Sequence, residues 1–95
     1  MTSSEIIKRY SWQFRVGRGI DHCVPPPWLP VVEELCMAIE RTVPMADRPA
    51  FCWLDIKEKR GELAVDYVVP ATMADVIEAL VDSSIARASQ VMEKN

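Results

Sequence analysis

The residues best suited to chemistry in this chain are one histidine and three cysteines, namely His22, Cys23, Cys36 and Cys52. A zinc site needs about four well-spaced ligands, and the chain has no Cys-x-x-Cys pair. His22 and Cys23 are adjacent, so a site would need a distant cysteine brought to them by the fold. A catalytic thiol needs an imidazole within hydrogen-bond reach, and adjacent side chains in an irregular loop usually diverge. The sequence therefore predicts free thiols, with no metal and no cofactor.

Acidic residues are the other candidates for chemistry. There are 14 of them, but no spacing singles out a pair for general acid and base catalysis. The sequence therefore favours a protein that is not an enzyme, and a small enzyme of unknown reaction remains an alternative.

Composition excludes other classes. The 95 residues are 49% hydrophobic and 26% charged, which is typical of one small globular domain spanning residues 1–95. A net charge of −3 without a basic patch argues against direct nucleic-acid binding. No apolar run has the length of a membrane span or of a signal peptide, so we expect a cytoplasmic protein with no membrane partner.

The strongest structural signal is a β-hairpin in residues 51–69. Arg60-Gly61 can form its two-residue turn, since glycine accepts a positive φ. In this register one face is almost wholly apolar and the other is charged, whereas a one-residue slip would mix them. The apolar face is Cys52, Leu54, Ile56, Leu63, Val65, Tyr67 and Val69. The charged face is Asp55, Lys57, Lys59, Glu62 and Asp66, with Trp53 opposite Val68 on the same side.

The charged face is either a solvated surface or a contact site. Asp55 lies opposite Asp66 in this register, and that repulsion is unfavourable unless Lys57 relieves it. A pair of like charges on an exposed face is also a reason to consider binding.

Three helices are predicted around the hairpin. The first spans residues 3–14 with Ser3 or Ser4 as its cap, and the second spans residues 28–43. The third begins at Thr72 and continues to near the C-terminus. Its predicted buried stripe is Met73, Val76, Ile77, Leu80, Val81, Ser84, Ile85, Ala88, Val91 and Met92. The fold class is thus α+β in the order α-α-β-β-α, with strands 51–58 and 62–69 packed on the helices.

Several segments together resemble a family of small phage and prophage proteins with a Lys-Glu-Lys-Phe-Gly-x-Leu-Arg-Phe-Tyr hairpin. The matching segments are Arg9-Tyr10 through Phe14, Cys23, Trp28-Leu29 with Leu35-Cys36, and Lys57 through Leu63. Arg60 replaces the phenylalanine of the motif. The family's C-terminal Cys-x-x-Cys-Gly, half of a possible metal site, has no counterpart here, which again implies no metal.

The resemblance implies an accessory protein of a phage or mobile element in a bacterial host cell. Together with the small size and the acidic balance, it favours an inhibitor that binds a host defence or regulatory complex. The candidate partner-binding residues are Asp55, Lys57, Lys59, Arg60, Glu62 and Asp66. Acidic residues that could mimic nucleic-acid charge are Asp55, Glu62, Asp66, Asp75, Glu78 and Asp82. A toxin-neutralising immunity protein is the alternative within the same class.

A homodimer is also predicted. A two-stranded sheet leaves both edges unpaired, and the apolar stripe of the last helix extends beyond what a small core can cover. The dimer would form through Ile85 and Val91 or by pairing of hairpin edges. Otherwise the stripe is monomer core or awaits a different partner.

Overall fold

The computed structural model describes the backbone of residues 2–94 and the side chains of residues 2–91. Within this range there are three α-helices and one antiparallel hairpin. They are α1 (Ser3–Arg9), α2 (Leu29–Thr42), β1 (Cys52–Lys59), β2 (Glu62–Val68) and α3 (Ala74–Lys94). Short 3-10 turns occupy Ser11–Gln13, Pro26–Trp28, Met45–Ala50 and Ala71–Met73. The predicted α+β class and the order α-α-β-β-α are confirmed.

The first helix differs from its prediction at both ends. Thr2, not Ser3 or Ser4, is the cap: its hydroxyl accepts the Glu5 N–H at 3.2 Å. The Glu5 carboxylate accepts the Thr2 N–H at 3.1 Å, which completes a capping box. The helix ends at Arg9 and the chain continues as a 3-10 turn. The prediction of one helix to residue 14 is therefore wrong after Arg9.

The core lies where α2, α3 and the hairpin meet. The buried residues of α2 repeat at helical spacing, as predicted: Val31, Val32, Leu35, Cys36 and Ile39. From α3 come Ile77, Val81, Ser84 and Ala88. Val76 was predicted on the same stripe but is 50% exposed. The side chain of Met92, also predicted there, lies outside the described residues.

The hairpin register agrees with the prediction from Asp55–Asp66 to Lys59–Glu62 and then departs from it. A β-bulge at Leu54 makes Trp53 pair with Tyr67 instead of with Val68. Trp53 is consequently fully buried, whereas Leu54 is only partly buried. The predicted placement of these two residues is wrong, because the extra residue of a bulge resets the alternation of faces.

The outer edge of β1 is not open. The segment 17–21 runs beside it and forms one parallel bridge, between Ile20 and Ile56. Three backbone hydrogen bonds join them: Arg18 N–H to Leu54 C=O (2.8 Å), Ile56 N–H to Gly19 C=O (3.1 Å) and Asp21 N–H to Ile56 C=O (2.8 Å). The prediction that both sheet edges are unpaired is therefore wrong for β1.

Gly17 allows this close approach. A Cβ added to Gly17 would lie 2.4 Å from the Cα and the carbonyl oxygen of Leu54. Gly19, with φ of 78°, supplies a backbone conformation that other residues rarely adopt. The two glycines thus allow the segment 17–21 to lie against the bulged part of β1.

Candidate binding surface and the Asp21–Cys23 cluster

The tip of the hairpin is a tight turn with four exposed residues, 59–62. Arg60 has φ of 56° and Gly61 has φ of 83°, so both central residues are left-handed, as in a type I′ turn. The Gly61 N–H donates to Glu58 Oε2 at 2.5 Å. Lys59 and Glu62 are direct cross-strand neighbours of opposite charge. The turn therefore presents its side chains from a fixed backbone.

The charged face behind the tip is less exposed than predicted. Asp55 and Asp66 are cross-strand neighbours, as expected. Lys57 Nζ lies 3.3 Å from Asp55 Oδ2, so it relieves their repulsion. The Asp55 side chain is only 14% exposed, against 39% for Lys57. Asp55 therefore positions Lys57 and offers little surface of its own to a partner.

The first half of α3 carries a group of exposed acidic residues. Asp75, Glu78 and Asp82 are exposed and are spaced by three and four residues, which places them on one side of the helix. We call these three residues the acidic stripe. Burial raises the pKa of the Tyr67 hydroxyl, and the nearby carboxylates of Glu78 and Asp82 raise it further. The acidic stripe therefore borders β2 at Tyr67.

The loop after Ile20 brings three potential metal ligands together. Donor atoms of Asp21, His22 and Cys23 all lie within 4.8 Å of one another. Cys23 Sγ is 3.6 Å from His22 Nε2, and His22 Nδ1 is 3.7 Å from Asp21 Oδ1. The expectation that the adjacent side chains of His22 and Cys23 diverge is wrong.

This arrangement does not activate the thiol as a nucleophile. A hydrogen bond to the Asp21 carboxylate raises the pKa of Cys23, so the thiolate is disfavoured. The pKa of Asp21 is lowered, mainly because its carboxylate accepts the Cys23 backbone N–H at 2.7 Å. Burial raises the pKa of Cys36 to about 12, so that thiol also stays protonated at neutral pH.

Asp21 is the member of this cluster that sequence reasoning missed. An aspartate often accepts the backbone N–H two residues later, forming an Asx turn. Here that bond runs from the Cys23 N–H to the Asp21 carboxylate, which directs the carboxylate toward the loop. The Asp-x-Cys spacing was the available local signal.

The two residues predicted for a dimer interface lie on the buried side of α3. Ile85 and Val91 are partly buried and pack against the core cluster. Two large hydrophobic side chains nearby in the sequence are exposed instead: Val68 at the end of β2, at 48%, and Val76 in the first turn of α3, at 50%.

Two surface clefts are present among the described residues. One, of about 340 Å³, is lined by Glu5, Lys8, Arg9 and Glu33. The other, of about 390 Å³, lies between α2 and α3 beside the ion pair of Glu34 and Arg87. The residues that line these two clefts include no cysteine, histidine or serine, so neither lining contains a nucleophile paired with an imidazole base.

Comparison with protein families, curated proteins and solved structures finds no match for this chain. None of the helices described in residues 2–94 combines the length and apolarity needed to cross a membrane.

Proposed function

We propose that this chain is an accessory protein of a phage or mobile element that inhibits a bacterial host defence complex by binding to it. The observation that carries the binding role is the tight, exposed turn of residues 59–62. A preformed contact surface loses little conformational entropy on binding. The proposed target rests on the resemblance of Lys57 through Leu63 to the phage hairpin motif.

Arg60 supports a contact role for the turn. It is the one described residue other than glycine with a positive φ, a conformation that a residue with a side chain adopts at a cost. Local strain at an exposed position is a reason to propose function there, because stability alone would favour another residue. Arginine is also enriched among the residues that dominate binding energies.

Charge divides the proposed contact into two parts. The six predicted binding residues comprise three bases and three acids, so the hairpin itself is not an acidic mimic. The acidic stripe on α3 is the better candidate for occupying a basic, nucleic-acid-binding surface of a target. We assign recognition to the turn and charge mimicry to the acidic stripe, with no direct contact to nucleic acid.

The experiment measures inhibition in cells. A bacterial strain with an active defence nuclease is transformed with a targeted plasmid, with and without this protein. The double variant Lys59→Glu, Glu62→Lys is the sharpest probe, because it keeps the net charge and the cross-strand attraction while inverting what a partner meets. Glu78→Lys tests the acidic stripe in the same assay, and Lys8→Glu, at an exposed position of α1, is the matched control.

We expect the unmodified protein and the α1 variant to raise transformation by about tenfold or more, and the hairpin variant to lose most of that effect. Thermal melting of each purified variant controls for folding. Full inhibition by a normally folded hairpin variant would show that the turn is not the contact.

An immunity protein is the alternative that uses the same surface. It would protect cells against one toxin and leave transformation unchanged, and its gene would follow that of the toxin.

All three cysteines are free thiols, which agrees with the reducing cytoplasm that we propose as the place of action. A role without catalysis is part of the proposal, since the Cys23 thiol next to His22 is held protonated.

A further inference from the structure

The cluster of Asp21, His22 and Cys23 has the ligand types and the spacing of a metal site. Ligand atoms that surround a tetrahedral zinc lie about 3.3–3.8 Å from one another, given bonds of about 2.0–2.3 Å. The measured separations are 3.6 Å from sulfur to imidazole nitrogen and 3.7 Å from imidazole nitrogen to carboxylate oxygen. The two distances involve different ring nitrogens. With one atom taken from each residue the three donors lie within 4.8 Å of one another, so the exposed His22 side chain must reorient for a single nitrogen to reach both partners at ligand spacing.

The loop that carries the cluster is held at its base. The Asp21 N–H donates to Ile56 C=O at 2.8 Å, which attaches the first ligand to β1. The Val24 N–H donates to Asp21 C=O at 3.1 Å, and the Val24 side chain is buried. Pro25 follows directly and restricts the backbone. Because the loop is already ordered, binding an ion would cost little conformational entropy.

The three donors are also accessible to an ion from solvent. The His22 side chain is 94% exposed, and Cys23 is the exposed member of the three cysteines. The Asp21 Oδ1 atom that lies near His22 also accepts the Cys23 N–H, and its second lone pair is available for a ligand bond. Lys57 is the nearby cation that opposes binding, and its ammonium is paired with Asp55 at 3.3 Å.

Asp21 supplies a third donor that the sequence-based prediction of no metal did not include, and we propose that Asp21, His22 and Cys23 bind one Zn²⁺ ion, with water in the fourth position. A thiolate, an imidazole and a carboxylate form a ligand set that suits zinc better than the hard cations Mg²⁺ or Ca²⁺. Coordination replaces the thiol proton, which goes to solvent. The site lies at the surface and contributes nothing to the core, so the fold does not depend on the ion. The inference is independent of the proposed function.

The test titrates the full chain, freed of metal by a chelator and kept reduced, with Zn²⁺ alone. Isothermal titration calorimetry measures the stoichiometry and Kd, which we expect at 1:1 in the micromolar range. Co²⁺ then replaces zinc as a spectroscopic probe, and we expect a sulfur-to-cobalt charge-transfer band. Mg²⁺ is the matched negative control.

Three variants assign the ligands. Cys23→Ser and His22→Gln should each weaken Zn²⁺ binding by at least about tenfold, since even loss of supporting residues costs that much. Asp21→Asn can keep the hydrogen bond to the Cys23 N–H while losing the charge, so it isolates the carboxylate as a ligand. Asp66→Asn, an exposed aspartate elsewhere, should leave Kd unchanged.

The proposal fails on any of three results. These are no 1:1 complex with a Kd below about 100 µM, an unchanged Kd in Cys23→Ser, or a Co²⁺ complex without the thiolate band. Thermal melting without metal should be the same for all variants to within a few degrees, because none of the altered side chains is in the core.

Discussion

A single buried amide, that of Gln13, connects three parts of the chain. Its nitrogen donates to Cys36 C=O on α2 at 2.9 Å, and its oxygen accepts the Trp53 indole N–H at 2.9 Å. Gln13 is fully buried, so both bonds form away from water. They fix the 3-10 turn after α1 against both α2 and β1.

Replacing Gln13 with methionine should therefore destabilise the protein. Methionine fills a similar volume but leaves the Trp53 N–H without a partner, which costs about 1–3 kcal/mol. Urea unfolding monitored by tryptophan fluorescence measures the change. Gln90→Met, at an exposed position of α3, is the control and should change stability by less than about 0.5 kcal/mol. Equal effects of the two changes would show that the buried bonds contribute nothing.

The buried thiol of Cys36 should make the free energy of unfolding depend on pH in the alkaline range. Burial raises its pKa to about 12, so the unfolded chain loses this thiol proton more readily than the folded protein. The contribution is fully present below the ordinary thiol pKa and is lost as pH rises toward the folded value. The free energy of unfolding should fall by up to about 1.4 kcal/mol per pH unit in that window. Cys36→Ala removes this component, so its loss of stability from pH 8 to pH 10 should be smaller than that of the unmodified protein.

Replacing Arg60 should increase stability, unlike the change at Gln13. Asparagine tolerates the left-handed conformation and is the preferred partner of glycine in a type I′ turn. Arg60→Asn should therefore stabilise the fold by about 0.5–1 kcal/mol and raise Tm by a few degrees. If Arg60 contacts the target as proposed, the same variant should inhibit less, so stability and activity should change in opposite directions. A variant that is both less stable and fully active would contradict both assignments.

At the scale of elements, the hairpin shows what the sequence could and could not specify. From Asp55 to Asp66 the two faces differ sharply in polarity, so alternation alone determines the register. Trp53 and Leu54 are both apolar, so alternation cannot distinguish which of them faces the core. The bulge is instead determined by contacts with Gly17 and its neighbours, more than 30 residues earlier in the chain.

Long-range contacts also explain why the burial of Gln13 was not predicted from the sequence. Gln13 lies between two aromatic residues in a short turn, a pattern that fits a surface position equally well. Its partners are 23 and 40 residues away, so only the tertiary structure identifies it. Asp21 was also missed, but its carboxylate bonds within its own loop, so local turn chemistry could have identified it.

Substitution of Gly17 tests the contact between the segment 17–21 and β1. Its Cβ position is occupied by backbone of β1, which cannot move as a flexible side chain can. Gly17→Ala should destabilise the fold by about 3 kcal/mol or more, since the segment must separate from the bulge. Gly61→Ala is the comparison: it has open space around it and only the strain of φ at 83°, so it should cost about 1–2 kcal/mol. A smaller cost at Gly17 than at Gly61 would show that the strand edge adapts.

At the scale of the whole molecule, the chain is compact. The radius of gyration is 12.6 Å, close to the value of about 12 Å expected for a folded chain of this length. α3 packs on both α2 and β2, so its apolar stripe is largely used within the molecule. Ile85 packs against the core of its own molecule, which weakens the case for a dimer built through the buried side of α3.

The outer edge of β2 remains the better candidate for the homodimer that we propose. In residues 2–94 no other segment forms backbone hydrogen bonds with β2, whereas β1 has the segment 17–21 on its outer edge. Val68, at the end of β2, is 48% exposed. Antiparallel pairing of two β2 edges would give a four-stranded sheet around a two-fold axis.

Sedimentation at tens of micromolar should accordingly show a dimer, and Val68→Lys should convert it to a monomer, because edge lysines oppose strand pairing. Val76→Glu, on the exposed side of α3, is the matched control: Val76 is 50% exposed, so neither change should affect folding. Loss of the dimer in Val76→Glu alone would place the interface on α3. A monomeric unmodified protein at these concentrations would reject self-association and leave the β2 edge as a surface for the inhibited target.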